Sequence, residues 1–263
     1  MRMTELDRDS LLTIMLAAAE AGAAGILAVA AAALEAETKP DASPVTSADR
    51  ASEAAILAIL GERAPGIAIV SEESASSHAA LPPPRFFLVD PLDGTKELIA
   101  GRDDFTVNVA LIEDTAPVLG VVVAPRRSET YWTEPHGGAS MLLAGGGSRR
   151  IAARPAPPQG LTAIVSRSHS DIDTQRYLAR LGVRETMAMG SSLKLCLIAR
   201  GDADVYPRLG PTHEWDTAAA DAVLRAAGGQ VEMLQGGPLR YGKPGLLNGP
   251  FVAWGRKGLG IGD

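Results

Sequence analysis

The chain has 263 residues, of which 46% are hydrophobic and 21% are charged. A chain of this length and apolar content buries a sizeable core, which excludes a disordered protein, and its single cysteine excludes a disulfide scaffold. The net charge of −6 leaves no basic footprint, so a protein that coats a nucleic acid polymer is also excluded. A small anionic ligand is still compatible with this balance, because the charge at one site can oppose the average.

The first long segment is almost uncharged, which raises the question of a membrane span or a secretory signal. Glu20 leaves 14 uncharged residues after it, mostly Ala and Gly, whereas a spanning helix needs ~20 strongly apolar ones. The residues before it are slightly acidic, unlike the positive start of a signal peptide. We predict a soluble helix over about 6–37, with a small-residue packing face, and no transmembrane segment. Peripheral contact with the inner face of the cell membrane is left open.

The rest of the first half reads as one helix followed by a sheet. A second helix is predicted over about 48–60, and short apolar strands over 66–70 and 86–89 are separated by a flexible Ser-, Ala- and Pro-rich loop over 74–84. Each strand runs into a carboxylate. Alternating residues further along predict an antiparallel sheet made of 105–112, a turn near Pro117, 118–123 and a third strand with Tyr131 and Trp132.

A stretch rich in Gly and Pro, residues 145–160, is the best candidate boundary between two halves, 1–145 and 160–263, of one compact unit. Beyond it a strand and three helices are predicted, over 161–165, 171–181, 191–200 and 216–227. Cys196 lies in an apolar run, which predicts a buried core thiol and suits a reducing cytoplasm. The whole pattern predicts a mixed α and β fold.

The stretch Asp90-Pro91-Leu92-Asp93-Gly94-Thr95 is the most informative in the chain. Asp90 ends an apolar strand, Pro91 removes a ladder donor and is expected to stop the strand, and Asp93 can turn back beside Asp90. Gly94 and Thr95 then begin a short helix whose free amides suit a phosphate. The alternative is a turn with an Asx cap, which the apolar strand leading into Asp90 disfavours.

Two further carboxylate sites repeat this theme: Glu72 and Glu73 follow a strand, and Asp216 precedes an Ala-rich helix, where alone it would be an N-cap. If Glu72, Asp90, Asp93 and Asp216 converge within about 5 Å, each pair repels by roughly 3 kcal/mol at an effective dielectric near 20. Such a cluster needs protons or divalent cations. All-oxygen sites suit Mg²⁺, and two Mg²⁺ ions would balance four carboxylates and favour in-line hydrolysis of a phosphate ester.

A base or orienting group for water is also available. Thr46-Ser47-Ala48-Asp49 places a hydroxyl and a carboxylate at the start of the second helix. By itself this would be a helix cap. Paired with the Thr95 hydroxyl, Asp49 could position a water molecule beside Glu72.

These residues resemble the three signatures of the inositol monophosphatase superfamily of Mg²⁺-dependent, lithium-sensitive phosphatases, namely Glu72-Glu73, Asp90-Pro91-Leu92-Asp93-Gly94-Thr95 and Trp215-Asp216-Thr217-Ala218-Ala219. The flanking sequence looks like the 3′(2′),5′-bisphosphate nucleotidase branch of CysQ type. That likeness is carried by Ser43-Pro44-Val45-Thr46, Phe105-Thr106-Val107-Asn108, Ser166-Arg167-Ser168-His169, Gly190-Ser191-Ser192-Leu193-Lys194 and Tyr206-Pro207-Arg208.

The resemblance implies a layered α-β-α-β-α fold and two or three Mg²⁺ ions, held by Glu72, Asp90, Asp93, Asp216 and the Leu92 carbonyl. It implies Asp49, Thr95 and Glu72 as catalytic residues. It also implies substrate contacts, with the Gly94 and Thr95 amides on the cleaved phosphate and a Ser, a Lys and an Arg on the phosphate that is not cleaved. The complete set of implied substrate contacts is Asp93, Gly94, Thr95, His169, Ser191, Lys194, Arg208 and Asp216.

The expected enzyme is a monomer or homodimer in the cytoplasm that removes the 3′-phosphate of adenosine 3′,5′-bisphosphate and also acts on its sulfated analogue. A haloacid-dehalogenase phosphatase is excluded, because Pro91 stands where its nucleophilic Asp would be. An inositol monophosphatase or related sugar phosphatase is the alternative, since it uses the same metal site. A non-catalytic nucleotide sensor is the second alternative. The bulky pair His213-Glu214 is expected to alter the pocket entrance.

Overall fold

The computed structural model describes residues 6–32, 36–38, 44–77, 81–167 and 172–256. Within these ranges the chain forms six α-helices and sixteen β-strands, together with three short 3-10 turns. Helices α1 to α6 span, in chain order, Arg8–Ala32, Ser47–Arg63, Thr95–Ile99, Ile172–Arg180, Leu193–Ala199 and Ala218–Ala226.

Most strands belong to two sheets. Strands β1 and β2 are a short antiparallel pair, Ala36–Thr38 and Pro44–Thr46. A seven-stranded sheet contains β3 to β9 in sequence order, at Ala68–Ser71, Arg85–Asp93, Thr106–Glu113, Ala116–Ala124, Glu129–Thr133, Ala139–Leu142 and Ser148–Ile151. Strands β10 to β16 span Leu161–Ser166, Val183–Met189, Val205–Arg208, Thr212–His213, Gln230–Met233, Leu247–Asn248 and Phe251–Trp254. Five of these form a sheet in the order β11-β10-β12-β16-β14, and β13 pairs with β15.

The elements stack in five layers. Helices α1 and α2 contact β4, β5 and β6 from one side of the seven-stranded sheet. Helices α5 and α6 form the central layer, because α6 contacts β5, β6 and β7 while α5 contacts α6 and strands β10, β12 and β16. Helix α4 contacts β11 and β12 from the outer side of the five-stranded sheet. This order confirms the predicted mixed fold with α-β-α-β-α layers.

The period of two along the strands assigns side chains to opposite faces of the seven-stranded sheet. In β4, Phe86 and Leu88 are buried in the core shared with α5 and α6. Phe87 and Val89 are buried in the second core, which is shared with α1 and α2. The sheet is therefore covered on both sides, and polar side chains placed on either face near its edge become buried.

Helix α1 is long and apolar enough to cross a membrane by length and composition alone, a test that core helices of soluble proteins also pass. Its glycines lie directly against α2. A Cβ added at Gly22 would come within 2.7 Å of Ser52 Oγ and 2.8 Å of Ile56, and one at Gly25 within 3.2 Å of the Ala51 carbonyl oxygen. The predicted small-residue packing face is therefore confirmed.

Several predicted boundaries are wrong. Helix α1 ends at Ala32 instead of near residue 37, since residues 36–38 hydrogen-bond with β2. The β5–β6 turn lies at Asp114 and Thr115, which both have positive φ, and Pro117 lies inside β6 at a register irregularity that tolerates a missing donor. Residues 72–77 form a 3-10 turn, whereas a loop was predicted from residue 74.

The predicted boundary over 145–160 contains β9, which pairs with β8 at the edge of the seven-stranded sheet. The division into halves 1–145 and 160–263 stays a prediction. The five-stranded sheet contains four strands without a sequence prediction, β11, β12, β14 and β16. Strand β11 is largely exposed at the sheet edge, so its residues lack the apolar alternation that marks a half-buried strand.

Gly120 marks a close approach between β6 and α6. An ideal Cβ there would lie 2.1 Å from the Ala219 carbonyl oxygen and 2.9 Å from the Ala222 methyl group. Because a backbone oxygen cannot move without displacing α6, we expect Gly120→Ala to lower the free energy of unfolding by about 1–3 kcal/mol. Urea denaturation followed by circular dichroism measures this change.

Gly61 in α2 is the matched control, since apart from its own neighbours and the adjacent backbone of α2, no atom in the described part of the chain lies within 4 Å of the position its Cβ would take. We expect Gly61→Ala to stabilise the protein by about 0.5–1 kcal/mol, the ordinary gain from replacing glycine in a helix. Equal effects at the two positions would contradict the close approach at Gly120.

Candidate active site

The site begins where two parallel strands end. Strands β3 and β4 pair in parallel, so their carboxyl ends meet at the same edge of the sheet. Glu72 follows β3 directly, and Asp90 and Asp93 lie in the last four residues of β4. The topology therefore brings carboxylates from two segments together without any contribution from the second half.

A bulge in β4 brings Asp90 and Asp93 to one place. The pairing of β4 with β5 is irregular between these residues and resumes at Asp93, which lies opposite Thr106. The prediction that Pro91 stops the strand is therefore wrong, because the ladder skips residues 91 and 92 and then continues. Ser52 of α2 donates to the Pro91 carbonyl at 2.7 Å, which holds the bulge.

Asp216 reaches the same edge from the segment that precedes α6. Its carboxylate accepts a hydrogen bond from the His213 amide at 2.9 Å. The N-cap position belongs to Thr217, so the reading of Asp216 as a simple helix cap is wrong. The charges of Glu72 and Asp93 both raise the pKa of Asp216, after the larger effect of burial.

The pKa directions show that these carboxylates lie within electrostatic reach of one another. Burial raises the pKa of Asp90 well above its ordinary value, and the charges of Glu72, Asp93 and Asp216 raise it further. Burial also raises the pKa of Asp93 to about 6, although the nearby Lys194 ammonium opposes this shift. Four acidic side chains from three separate segments therefore act on one another electrostatically.

The donor set fits a divalent cation. Oδ1 of Asp90 accepts from the Leu92 amide at 3.0 Å, whereas Oδ2 is buried and has no hydrogen-bond partner in the described part of the chain. Such an oxygen, beside other carboxylates and with no sulfur or imidazole ligand among them, suits Mg²⁺.

Among the described residues, no three His, Cys, Asp or Glu side chains are gathered into a compact ligand shell. Ionised carboxylates within electrostatic reach repel one another, and a bound cation would compensate that repulsion.

Asp49 and Thr95 form the pair that the family resemblance implies. The Thr95 hydroxyl donates to Oδ1 of Asp49 at 3.1 Å, across 46 residues of sequence. Oδ2 of Asp49 accepts from the Thr46 amide and hydroxyl at 2.7 and 2.6 Å, which completes the capping box of α2. Asp49 can therefore cap α2 and bind Thr95 at the same time, since each of its carboxylate oxygens has its own partners. Burial raises the pKa of Asp49, although the Thr46 and Thr95 hydrogen bonds oppose this.

Gly94 allows α3 to start beside the carboxylates. It has φ of 95°, and an added Cβ would lie 3.2 Å from the backbone of Asp104 and Phe105. Glycine is therefore required both by conformation and by space. The predicted helix start is confirmed, with Thr95 as the first helical residue.

The second half adds cations to this edge. The Lys194 side chain donates to the Ser191 carbonyl oxygen, and its ammonium lies 5.5 Å from the Tyr206 ring centre. Its pKa is lowered by burial, while Asp93 opposes that effect. Arg208 donates to the Pro211 carbonyl at 2.9 Å, and its charge lowers the pKa of Asp216. His169 lies outside the described residues.

Two sets of hydrogen bonds between the halves were not predicted from the sequence. Ser192 Oγ lies 2.9 Å from Thr106 Oγ1 and donates to Asn108 Oδ1 at 2.7 Å. Asp104 accepts from the Gly190 amide at 2.7 Å and from Arg167 at 3.0 Å. The alternation in β5 puts Thr106 and Asn108 on one face and could have indicated a polar patch there, but not its partner in α5.

Glu214, in the pair before Trp215, is fully buried and accepts from the amides of Gly242 and Lys243, so it anchors the loop before β15. The expected effect of His213-Glu214 on the pocket entrance stays a prediction. His213 stacks on Trp215 with ring centres 4.4 Å apart.

The comparisons with known proteins agree with this geometry. The sequence model described as the inositol monophosphatase family matches residues 7–259, almost the whole chain. The chain belongs to the inositol monophosphatase family. This confirms the predicted family. Its members are metal-dependent phosphatases that generally use Mg²⁺.

Several similar proteins carry the name CysQ. The 3′(2′),5′-bisphosphate nucleotidase CysQ of Shigella flexneri is 45% identical over 205 residues, which cover 78% of this chain and 82% of the relative. The crystal structure of CysQ from Bacteroides thetaiotaomicron superposes with a TM-score of 0.79 at 36% identity, covering 95% of this chain and 98% of the other. A histidinol-phosphatase of Mycobacterium tuberculosis is 33% identical over 77% of this chain and 79% of its own.

The raised pKa of Asp93 predicts how stability responds to pH without metal. The folded protein holds a proton on Asp93 up to about pH 6, whereas the unfolded chain loses it near the ordinary value of 3.8. This contribution is complete below pH 3.8 and is lost as the pH rises through about 6. In EDTA, Asp93→Asn should therefore raise Tm relative to the unchanged protein, by about 2–4 °C per kcal/mol gained, and more near neutral pH than at about pH 5.

Calorimetry with Mg²⁺ in place of EDTA is the control for this prediction. Mg²⁺ should raise the Tm of the unchanged protein and raise that of Asp93→Asn much less. A lower Tm of Asp93→Asn in EDTA near neutral pH would contradict the proposed repulsion.

Proposed function

We propose that the protein is a Mg²⁺-dependent 3′(2′),5′-bisphosphate nucleotidase that hydrolyses adenosine 3′,5′-bisphosphate to AMP and phosphate, and that also accepts the sulfated analogue. The observation that carries this proposal is the juxtaposition of two kinds of charge at one sheet edge. Glu72, Asp90, Asp93 and Asp216 form an acidic cluster, and Lys194 and Arg208 stand next to it. The relatives of CysQ type support the substrate class.

Cations beside the acidic cluster suit a substrate with two phosphates. Lys194 carries a charge close to Asp93, and Arg208 carries one close to Asp216. A simple monophosphate would bind only at the acidic cluster, through its metal ions, and would have no second phosphate for Lys194 and Arg208. The phosphate that is not cleaved would bind Ser191, Lys194 and Arg208, because an ammonium and a planar guanidinium provide the donors that it needs.

The chain supplies a path for the proton of the attacking water. The Thr95 hydroxyl donates to Asp49, so its oxygen is directed to accept from a water molecule beside Glu72. As the water oxygen bonds to phosphorus, its proton passes to Thr95 Oγ1 and the Thr95 proton passes to Asp49 Oδ1. The bond from phosphorus to the ribose oxygen breaks in line, without a covalent intermediate. The leaving oxygen takes up a proton from solvent water, and Asp49 returns its proton to the solvent.

Glu72, Asp90, Asp93, Asp216 and the Leu92 carbonyl would hold two or three Mg²⁺ ions. When bound, Mg²⁺ lowers the pKa of bound water and stabilises charge on the leaving oxygen. Amides at Gly94 and Thr95 would hold the cleaved phosphate. His169 is proposed as a further substrate contact, and Asp93 and Asp216 as contacts shared by metal and substrate. We place the enzyme in the cytoplasm as a monomer or homodimer.

Phosphate release from three substrates tests the function. Adenosine 3′,5′-bisphosphate, inositol 1-phosphate and histidinol phosphate are compared with Mg²⁺, with EDTA and with Mg²⁺ plus Li⁺. We expect the bisphosphate to be hydrolysed fastest, with no turnover in EDTA and inhibition by Li⁺. Hydrolysis of the inositol or histidinol ester alone would overturn the substrate assignment. Tight nucleotide binding without turnover of any of them would instead indicate a sensor.

Lys194 should distinguish substrates with one and two phosphates. Loss of one charge-assisted contact costs about 1.5–3 kcal/mol, so Lys194→Ala should lower kcat/KM for adenosine 3′,5′-bisphosphate by about 10- to 100-fold. Adenosine 3′-monophosphate is the internal control, because it lacks the phosphate that Lys194 would hold. Equal losses with both substrates would show that Lys194 acts on the metal site or the fold.

A further inference from the structure

Two buried polar atoms on neighbouring strands have no hydrogen-bond partner among the described residues. They are Nδ2 of Asn108 on β5 and Oδ2 of Asp90 on β4, and each side chain is 1% exposed. One atom is a donor and the other is an acceptor. Buried polar atoms are rarely left without a partner, so each of these requires an explanation.

The strand register places these two side chains next to each other. Asp90 and Asn108 are direct partners in the antiparallel pairing of β4 and β5, on the face that also carries Leu88 and Ala110 toward the central helices. Directly opposed side chains on one face have Cβ atoms about 4.5–5.5 Å apart. No direct hydrogen bond joins them in the structure, and an amide and a carboxylate at this separation are within reach of each other through one water molecule.

The orientation of the Asn108 amide follows from its other neighbours. Ser192 Oγ donates to Oδ1 of Asn108 at 2.7 Å, and Thr106 Oγ1 lies 2.9 Å from the same hydroxyl. If Thr106 Oγ1 donates to Ser192 Oγ, each of the two hydroxyl groups donates its proton to the next oxygen in the chain of hydrogen bonds. The reversed amide would turn its oxygen toward the carboxylate of Asp90, where two acceptors would repel. The amide nitrogen therefore faces Asp90.

We infer that Asn108 is a positioning residue for the cation site, whose Nδ2 reaches Oδ2 of Asp90 through one water molecule, and that Ser192 fixes the amide in this orientation. A carboxylate oxygen has two lone pairs, so Oδ2 can accept from that water molecule and still ligate a cation. Ser192 adjoins Ser191, so the same link joins the metal side of the site to the nucleotide side. The inference rests on the proposed function, because it assigns Asp90 to Mg²⁺.

Isothermal titration of the nucleotide-free protein with Mg²⁺ tests the inference apart from catalysis. Asn108→Leu keeps the shape of the side chain and removes the amide, and we expect its Kd for Mg²⁺ to rise about 10-fold. Thr130→Val is the matched control, because Thr130 is a buried polar residue on β7 of the same sheet, away from the site. Its Kd should stay within about twofold of the unchanged protein.

Ser192→Ala provides an independent second variant, in case Asn108→Leu fails to fold. We expect a smaller rise in the Kd for Mg²⁺, since the amide stays but can rotate. Because Ser192 acts through Asn108, the double variant should bind Mg²⁺ no more weakly than Asn108→Leu alone. Urea denaturation of each variant separates a loss of stability, which a merely structural role would also produce, from a loss of Mg²⁺ affinity.

The outcomes separate this inference from the proposed function. If the unchanged protein binds Mg²⁺ and both single variants bind it within about twofold, the positioning role of Asn108 is overturned and the metal assignment stands. Fully additive losses in the double variant would overturn the link through Asn108. If the unchanged protein binds no Mg²⁺, the proposed function fails together with this inference.

Discussion

Mutual repulsion among four carboxylates is the constraint on which the site depends. Ionised carboxylates within electrostatic reach of one another repel, so the scaffold must hold these groups against a force that separates them. It does so with backbone anchors. The Leu92 amide binds Asp90, the His213 amide binds Asp216, and Ser52 fixes the bulge through Pro91. A cation bound by the proposed ligands would relieve a repulsion that the fold has already imposed, so affinity for a divalent ion would need no sulfur or imidazole ligand.

Holding these anchors requires the layers to be rigid and closely packed. Helix α6, which follows Asp216, approaches β6 so closely at Gly120 that no side chain fits between them. Behind Asp216 lies a buried polar network in which Tyr241 donates to Asp221 at 2.8 Å and Asn248 donates to Thr217 at 3.0 Å. Because these donors and acceptors satisfy one another, the segment before α6 has a defined path, and the carboxylate at its end has a defined position.

How well each part of the site can be predicted depends on how far apart its residues lie in the sequence. Asp90, Asp93, Gly94 and Thr95 are adjacent in sequence, so strand and helix-start rules were sufficient to place them. The contact of Asp49 with Thr95 spans 46 residues, and the sequence offered it only as a pairing that a catalytic water would need, which the family resemblance also implies. Ser192 and Asn108 are 84 residues apart and belong to different layers, so no local pattern connects them. The wrong boundaries have the same origin, because pairing of residues 36–38 with β2 and the bulge at Pro91 depend on partner strands.

The alternation of side chains along β4 and β5 determines which polar residues face the central helices. On β4 and β5 the side chains of Asp90 and Asn108 share the face that packs against the central helices, while Phe87 and Val109 occupy the opposite face against α1 and α2. A carboxylate for a cation is therefore placed, by strand periodicity alone, on the face that meets α5. Helix α5 also carries Lys194 beside Asp93. The acidic and the basic halves of the site thus meet because one sheet face and one helix layer are packed together. A change in that packing would alter both halves at once.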